Sequence, residues 1–328
     1  MKFSKKTAKK AAGAVLGVSA LAGIASYMTT SLFAKEAFDR REPQIMKKAG
    51  NRIAGTQKDN EFEQRQKAAA EMLSQAPTEQ VTITAQDGTS LVGHWYPCDG
   101  AKRVIIAMHG WRSSWCSDFG LTAEFLHANH CSVLFAEQRG QNSSGGDYMG
   151  FGVTEQFDCL DWVHWAVQNK SAELPIYLYG VSMGATTVLM AAGLNMPEAV
   201  HGVIADCGFT SPDAIWKHIA RSNLHIPYRL QRVMAGKLYG RRNPIGGFRY
   251  STTEALQNCS TPVLLIHGDS DHFVPIEMTY QNYDACTAPK RLLVVPGADH
   301  ARSYFTAPEE YEDSVRDFWR EFDATIGA

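Results

Sequence analysis

The stretch from Ile176 to Ala192 constrains the fold of this chain more than any other. Ile176-Tyr177-Leu178-Tyr179 is a β-branched and aromatic run, Ala185 to Ala192 is helix-forming, and Gly180-Val181-Ser182-Met183-Gly184 joins the two. The pattern reads as a strand, a sharp turn and a helix, with the serine at the apex. A residue at such a turn has a strained backbone, and side chains on the flanking positions would collide with the adjoining strand or helix, which explains the glycines. The turn exposes the hydroxyl of Ser182 and leaves the Met183 amide at a helix N-terminus, where it can meet an oxyanion. Glycine and serine are also ordinary turn residues. The motif therefore acquires chemical meaning only if the chain supplies a base, an acid and a second amide donor.

The surrounding chain alternates in the same way. Val81 to Thr84 and Leu91 to Tyr96 flank Asp87-Gly88 as a hairpin. Val104 to Met108 reads as a strand and Phe119 to Ala128 as a helix; Val133 to Ala136 as a strand and Thr154 to Asn169 as a helix. Beyond the serine turn come the runs Val200 to Ala205, Val263 to Ile266 and Leu292 to Val295, then a last helix, Pro308 to Phe322. Continuous apolar strands alternating with helices predict an α/β fold with a mostly parallel sheet covered on both faces, its first strands antiparallel. An insertion of about 55 residues separates Asp206 from Thr261, far more than a crossover needs. It reads as a helical lid, with helices over Pro212 to Ser222 and Tyr228 to Tyr239. From Lys217 to Arg249 it is basic, with no acid; that suits a solvated lid or one near anionic lipid headgroups.

Two segments precede this domain. Residues 2–10 hold five lysines and no acid, and residues 11–34 carry no charge, long enough for a spanning helix of about 20 residues. Three readings stand: an uncleaved membrane anchor, a signal peptide cleaved after Gly23-Ile24-Ala25, and a buried helix. Lysines before the span place the body of the chain outside the cytoplasm, or free it as a secreted protein if the segment is cleaved. Seven cysteines without a C-x-x-C pair pull toward a reducing compartment and against a zinc site or a complete disulfide framework. Residues 35–78 form a polar helical stretch, either a spacer or a brace. The net charge of −2 excludes the electrostatic signature of nucleic-acid binding, and no obligate protein partner is evident.

In open α/β sheets ligands bind beyond the carboxyl ends of the strands. Those ends carry His109-Gly110-Trp111, Glu137-Gln138-Arg139-Gly140, Ser182, Asp206, His267-Gly268-Asp269-Ser270-Asp271 and Gly297-Ala298-Asp299-His300. A serine needs a base near neutral pH, and imidazole needs a carboxylate on its other nitrogen. His300 supplies the base. Asp271 is the expected acid, with Asp206 as the competitor. Trp111 and Met183 supply the two oxyanion amides, and His109 and Trp111 are the candidates for the pocket wall. Arg139 and Glu137 read as an internal ion pair bracing their loop. His109, His267 and His300 fit no metal-ligand spacing, and neither metal nor cofactor is expected.

His109-Gly110, Glu137-x-Arg139-Gly140-x-x-Ser143-x-Gly145, Gly180-x-Ser182-x-Gly184, His267-Gly268-x-x-Asp271-x-x-Val274-Pro275 and Gly297-x-x-His300 together resemble the α/β-hydrolase superfamily. The likeness spans residues 79–325 and is strongest to the membrane-anchored Bem46-like and ABHD-type branch. It implies an eight-stranded sheet with a lid over about 208–261, and Ser182, Asp271 and His300 as nucleophile, acid and base. Glu137 stands where many relatives carry aspartate. The expected activity is hydrolysis of small-molecule or lipid carboxylic esters through an acyl-enzyme. Thioesterase, lysophospholipase and S33-type aminopeptidase are the enzymatic alternatives, and a silent, membrane-tethered binding module the non-enzymatic one.

Overall fold

Strands that lack a polar face must be covered on both sides. The computed structural model describes residues 23, 26–41, 59–170, 173–223 and 228–323, and its strands are arranged so. They are β1 (Glu79–Thr84), β2 (Ser90–Tyr96), β3 (Arg103–Met108), β4 (Cys131–Ala136), β5 (Ile176–Val181), β6 (Val200–Asp206), β7 (Val263–Gly268) and β8 (Lys290–Val295). One eight-stranded sheet runs β1-β2-β4-β3-β5-β6-β7-β8. β2 is antiparallel to both β1 and β4; every later pairing is parallel. This is the sheet of the α/β-hydrolase fold.

The helices are α1 (residues 26–38), α2 (Asn60–Ser74), α3 (Trp115–Ala128), α4 (Glu155–Asn169), α5 (Met183–Ala191) and α6 (Pro212–His218). Then follow α7 (Tyr228–Gly240), α8 (Thr252–Leu256), α9 (Glu277–Ala285), α10 (Ser303–Thr306) and α11 (Pro308–Phe322). The alternation of strand side chains divides the core in two. Val104, Ile106, Leu178 and Val203 pack with Trp162 and Val163 of α4 and Val188 and Leu189 of α5. Ile105, Ala107, Tyr177 and Ile204 pack on the other face with Phe119 and Leu126 of α3 and Phe318 and Trp319 of α11. Helix α11 buries Tyr311, Val315, Phe318, Trp319 and Phe322, one apolar stripe at helical spacing. Helix α3 begins at Trp115, earlier than its apolar pattern suggests, because Ser114 caps it by accepting from the Ser117 amide at 3.2 Å. The polar stretch before the sheet acts as a brace where it is described. Helix α2 lies so close to α3 that a Cβ on Gly120 would stand 2.8 Å from the Ala69 and Ala70 backbone.

The lid consists of α6, a π-turn at Ile219–Asn223, α7 and α8. Beneath it lies a third apolar cluster, to which α1 contributes Ala34 and Phe38. Phe38 stacks on Trp216 at 5.2 Å and meets Phe151, Tyr239 and Phe248 edge-on. Two lid bases are used internally, Arg232 with Asp213 and Arg242 with Asp39; Lys217, Arg221, Arg229, Lys237, Arg241 and Arg249 are exposed. Among the described residues no helix is long and apolar enough to cross a membrane. Residues 11–22, 24 and 25 of the uncharged stretch lie outside the described residues, as do 42–58 of the polar one.

Candidate active site

Strand β5 ends at Val181 and α5 starts at Met183, so Ser182 alone makes the turn, at φ 55° and ψ −116°. That backbone is costly for a residue with a side chain and persists only where its surroundings hold it. A Cβ on Gly180 would stand 2.2 Å from the Gly184 carbonyl oxygen, and one on Gly184 1.8 Å from the Met108 carbonyl oxygen. The two glycines are thus required by close approach of backbone to backbone. The Ser182 amide donates to the Asp206 carbonyl at 2.8 Å, which ties the turn to the end of β6.

The loops after β7 and β8 bring the other two groups. Ser182 Oγ donates to His300 Nε2 at 2.9 Å, and His300 Nδ1 donates to Asp271 Oδ2 at 2.7 Å. Asp271 is held by two backbone donors and a neighbouring imidazole, whose Nε2 donates to the Val274 carbonyl at 2.9 Å. Its Oδ1 accepts from the Phe273 and Val274 amides at 2.8 Å each, and its Oδ2 lies 3.1 Å from Nε2 of the fully buried His267. Burial alone would raise the Asp271 pKa, but the His300 charge and hydrogen bonds from His267 and His300 hold it well below the usual carboxylate range. For His300 burial opposes the charged form, and the charge and hydrogen bond of Asp271, with Asp206 and Asp299, outweigh it and raise the imidazole pKa. A hydroxyl, an imidazole of raised basicity and an ionised carboxylate in series can pass a proton from Oγ to Nε2 and stabilise the imidazolium. The part of His267 in fixing Asp271 does not follow from the sequence pattern. Its place four residues before Asp271, at a strand end, is the one available signal.

The amides of Trp111 and Met183 make no hydrogen bond among the described residues; Met183 directly follows Ser182, and Trp111 lines the same pocket as Ser182. Met183 is the first residue of α5, where the partial positive charge of the helix end favours an anion. Around Trp111 the loop after β3 is held firmly. Asp118 accepts from the Gly110 amide and the Ser113 hydroxyl at 2.6 Å each, and Gln141 Oε1 accepts from the Arg112 amide at 2.5 Å. His109, expected in the pocket wall, is instead fully buried beside this loop. Its Nδ1 donates to the Gly110 carbonyl at 2.8 Å, and its Nε2 accepts from the Gln138 amide at 3.1 Å. With both nitrogens satisfied inward, the ring braces two loops and does not reach the pocket.

That pocket is an apolar cleft of about 730 Å³, counted with its open mouth, and Ser182 lies in its wall. Trp111, Phe151, Phe209 and Phe273 line it from the domain, Ile215, Trp216 and Ile219 from the lid, and Phe33 and Ala37 from α1. The sequence offers no sign that α1 takes part.

Two further expectations meet different partners. Arg139 does not pair with Glu137; it binds Asp158 of α4 through Nε at 2.6 Å and Asp87 of the β1–β2 turn at 2.7 Å. Glu137 accepts from His94 at 2.8 Å and from the Ser143 amide at 2.5 Å. Asp206 lies beside the catalytic edge, but its carboxylate accepts from Ser303 Oγ at 3.0 Å, and burial pushes its pKa up to about 6. Cys207, Asp271 and His300 offer ligand atoms within 4.8 Å of one another. A metal there would need a thiolate, whereas burial drives the Cys207 pKa well up, and it would have to displace the hydrogen bond that one His300 nitrogen makes to Asp271 or to Ser182.

The family model of the prolyl oligopeptidase family matches residues 117–324. The chain is 27% identical to the uncharacterized protein YqkD of Bacillus subtilis over 72% of its length and 77% of YqkD. It is 29% identical to the uncharacterized protein YfhR of Escherichia coli K12, over 73% of this chain and 80% of that one. Among solved structures the esterase Pf2001 of Pyrococcus furiosus superposes with a TM-score of 0.61 at 25% identity, covering 77% of this chain and 95% of the esterase. Est1E of Butyrivibrio proteoclasticus, solved with ferulic acid, has the same fold at a TM-score of 0.56 and 21% identity, covering 75% of this chain and all of that one.

Proposed function

This chain belongs to the prolyl oligopeptidase family and is a serine hydrolase, and on that premise we propose that it cleaves carboxylic esters with apolar acyl groups. The observation that carries the reading is the Ser182–His300–Asp271 hydrogen-bond series set in the wall of a pocket lined almost wholly by aromatic and aliphatic side chains. A further likeness, to the Bem46-like and ABHD-type branch, rests on the motifs around His109, Glu137, Ser182, Asp271 and His300.

Ser182 Oγ attacks the ester carbonyl while its proton moves to His300 Nε2, and Asp271 stabilises the resulting imidazolium. The Trp111 and Met183 amides hold the oxyanion of the tetrahedral adduct. Collapse breaks the bond to the alkoxide, which takes the proton from Nε2 and leaves as the alcohol, with the acyl group on Ser182. Water, deprotonated by the same nitrogen, then releases the carboxylic acid and restores Oγ–H. The proton transfers use Ser182, His300 and Asp271, which already lie within hydrogen-bond reach in series.

The family match favours a second reading, cleavage of peptide bonds. A panel of p-nitrophenyl esters assayed beside peptide 4-nitroanilides separates the two. The ester reading expects kcat/KM on the preferred ester at least about a hundredfold above that on any anilide, and anilide turnover equal to or above the ester rate replaces it.

A further inference from the structure

Helix α1 continues the uncharged N-terminal stretch, yet it is built into the site. Thr30, Ala34 and Phe38 are buried, while Phe33 and Ala37 line the pocket. The last carbonyls of a helix lack donors within it. Here Arg112, in the loop after β3, supplies one of them and the two carbonyls that follow the helix. Arg112 donates through Nε and Nη2 to the Glu36 carbonyl at 3.1 and 2.6 Å, through Nη2 to the Asp39 carbonyl at 2.8 Å, and through Nη1 to the Arg40 carbonyl at 3.4 Å. A cation at that position also meets the negative end of the helix dipole. The neighbouring Trp111 donates from Nε1 to the Ala37 carbonyl at 2.9 Å. On the other sides the Phe38 carbonyl accepts from the Met149 amide at 2.7 Å, the Arg40 amide donates to the Asp147 carbonyl at 2.8 Å, and Asp39 pairs with Arg242 of the lid.

We propose that α1 is the specificity-determining wall of the acyl site: Phe33 and Ala37 bound the channel for a long, unbranched acyl chain, which runs against Trp216 and Ile219 of the lid. The substrates are then lipid-type acyl esters, an inference that rests on the ester reading above. The directions around the tetrahedral carbon lead there. The leaving oxygen must face His300, which Phe273 flanks edge-on at 4.9 Å. The oxyanion faces the Trp111 and Met183 amides. The acyl substituent takes the remaining direction, into the cleft bordered by the Trp111 ring, Phe33, Ala37 and the lid. Two polar side chains also line the cleft, Gln231 of the lid and Glu36 of α1, whose carboxylate stands 3.9 Å from the Arg112 guanidinium. Each methylene lodged against such a surface raises kcat/KM about fourfold until the chain meets the wall.

The test is a series of p-nitrophenyl esters, acetyl to dodecanoyl, with the full chain and its Phe33→Ala and Phe33→Trp variants. The ratio of kcat/KM for decanoyl over butyryl should rise about tenfold or more in Phe33→Ala and fall about tenfold or more in Phe33→Trp. Profiles that superimpose on the parent overturn the proposal. A loss uniform across all chain lengths in both variants overturns it too, because α1 would then be scaffold alone. A parent chain inert toward every ester overturns the ester reading itself, a result distinct from either.

Discussion

Asp271→Asn lowers kcat on an ester by about ten-thousandfold, while Asp206→Asn lowers it by no more than about tenfold. The difference follows from what each carboxylate holds. Asp271 accepts the Nδ1 proton of His300 at 2.7 Å, and its charge stabilises the imidazolium. Asparagine removes that charge and can present its amide donors to Nδ1, which favours the wrong tautomer. Asp206 hydrogen-bonds Ser303 and acts on His300 only through space. The pH profile gives a second readout. His300 must be neutral to accept the serine proton, so activity falls as pH drops through its raised pKa. Removing the Asp271 charge lowers that pKa, and the acid limb of the remaining activity moves to lower pH. Steady-state kinetics across pH on both variants check both points; a larger loss in Asp206→Asn would transfer the acid role to that residue.

Gly184→Ala should unfold the elbow at far lower temperature than the parent. Its Cβ would stand 1.8 Å from the Met108 carbonyl oxygen and 2.8 Å from that of His109, so β3 or α5 must move. Clashes with backbone belong to the small class of substitutions that cost more than about 4 kcal/mol, equivalent to a fall in Tm of at least about 8 °C. Gly240, at the end of α7, has nothing within 4 Å of the place an alanine methyl would take, and no positive φ. Gly240→Ala should leave Tm within about 2 °C, or raise it slightly through the helix propensity of alanine. Calorimetry of the pair separates close approach from the mere loss of a glycine. Equal melting temperatures would contradict the packing described at Ser182.

The catalytic edge is legible in the sequence because each of its groups follows an apolar strand by a fixed, short spacing. Ser182 follows β5, Asp271 the end of β7 and His300 the end of β8, and topology alone gathers such ends on one side of a parallel sheet. What is not legible depends on where side chains turn. His109 leaves β3 beside the pocket residue Trp111, but its ring is drawn inward by the Gly110 carbonyl and the Gln138 amide. Sequence proximity pairs Arg139 with Glu137, whereas the fold offers it Asp158, nineteen residues away on α4, and Asp87 across the sheet. The largest gap concerns α1. An uncharged run of this length reads first as a membrane span, then as a signal, and last as a packed helix. Its place over the site depends on partners more than seventy residues distant, Trp111 and Arg112, which no local periodicity can show.

A fluorophosphonate probe reports directly on the central claim, that Ser182 is an activated nucleophile. Only an alkoxide made available by a hydrogen-bonded base displaces the fluoride at a useful rate, and the adduct marks the oxygen that attacked. Ser182 Oγ already lies 2.9 Å from His300 Nε2, and Met183 begins α5, where the positive end of the helix favours an anionic adduct. The chain should gain the mass of one phosphonyl group, peptide mapping should locate it on Ser182, and Ser182→Ala should remain unlabelled while melting at the parent temperature. Labelling that persists in Ser182→Ala, or that maps to another residue, would contradict the account.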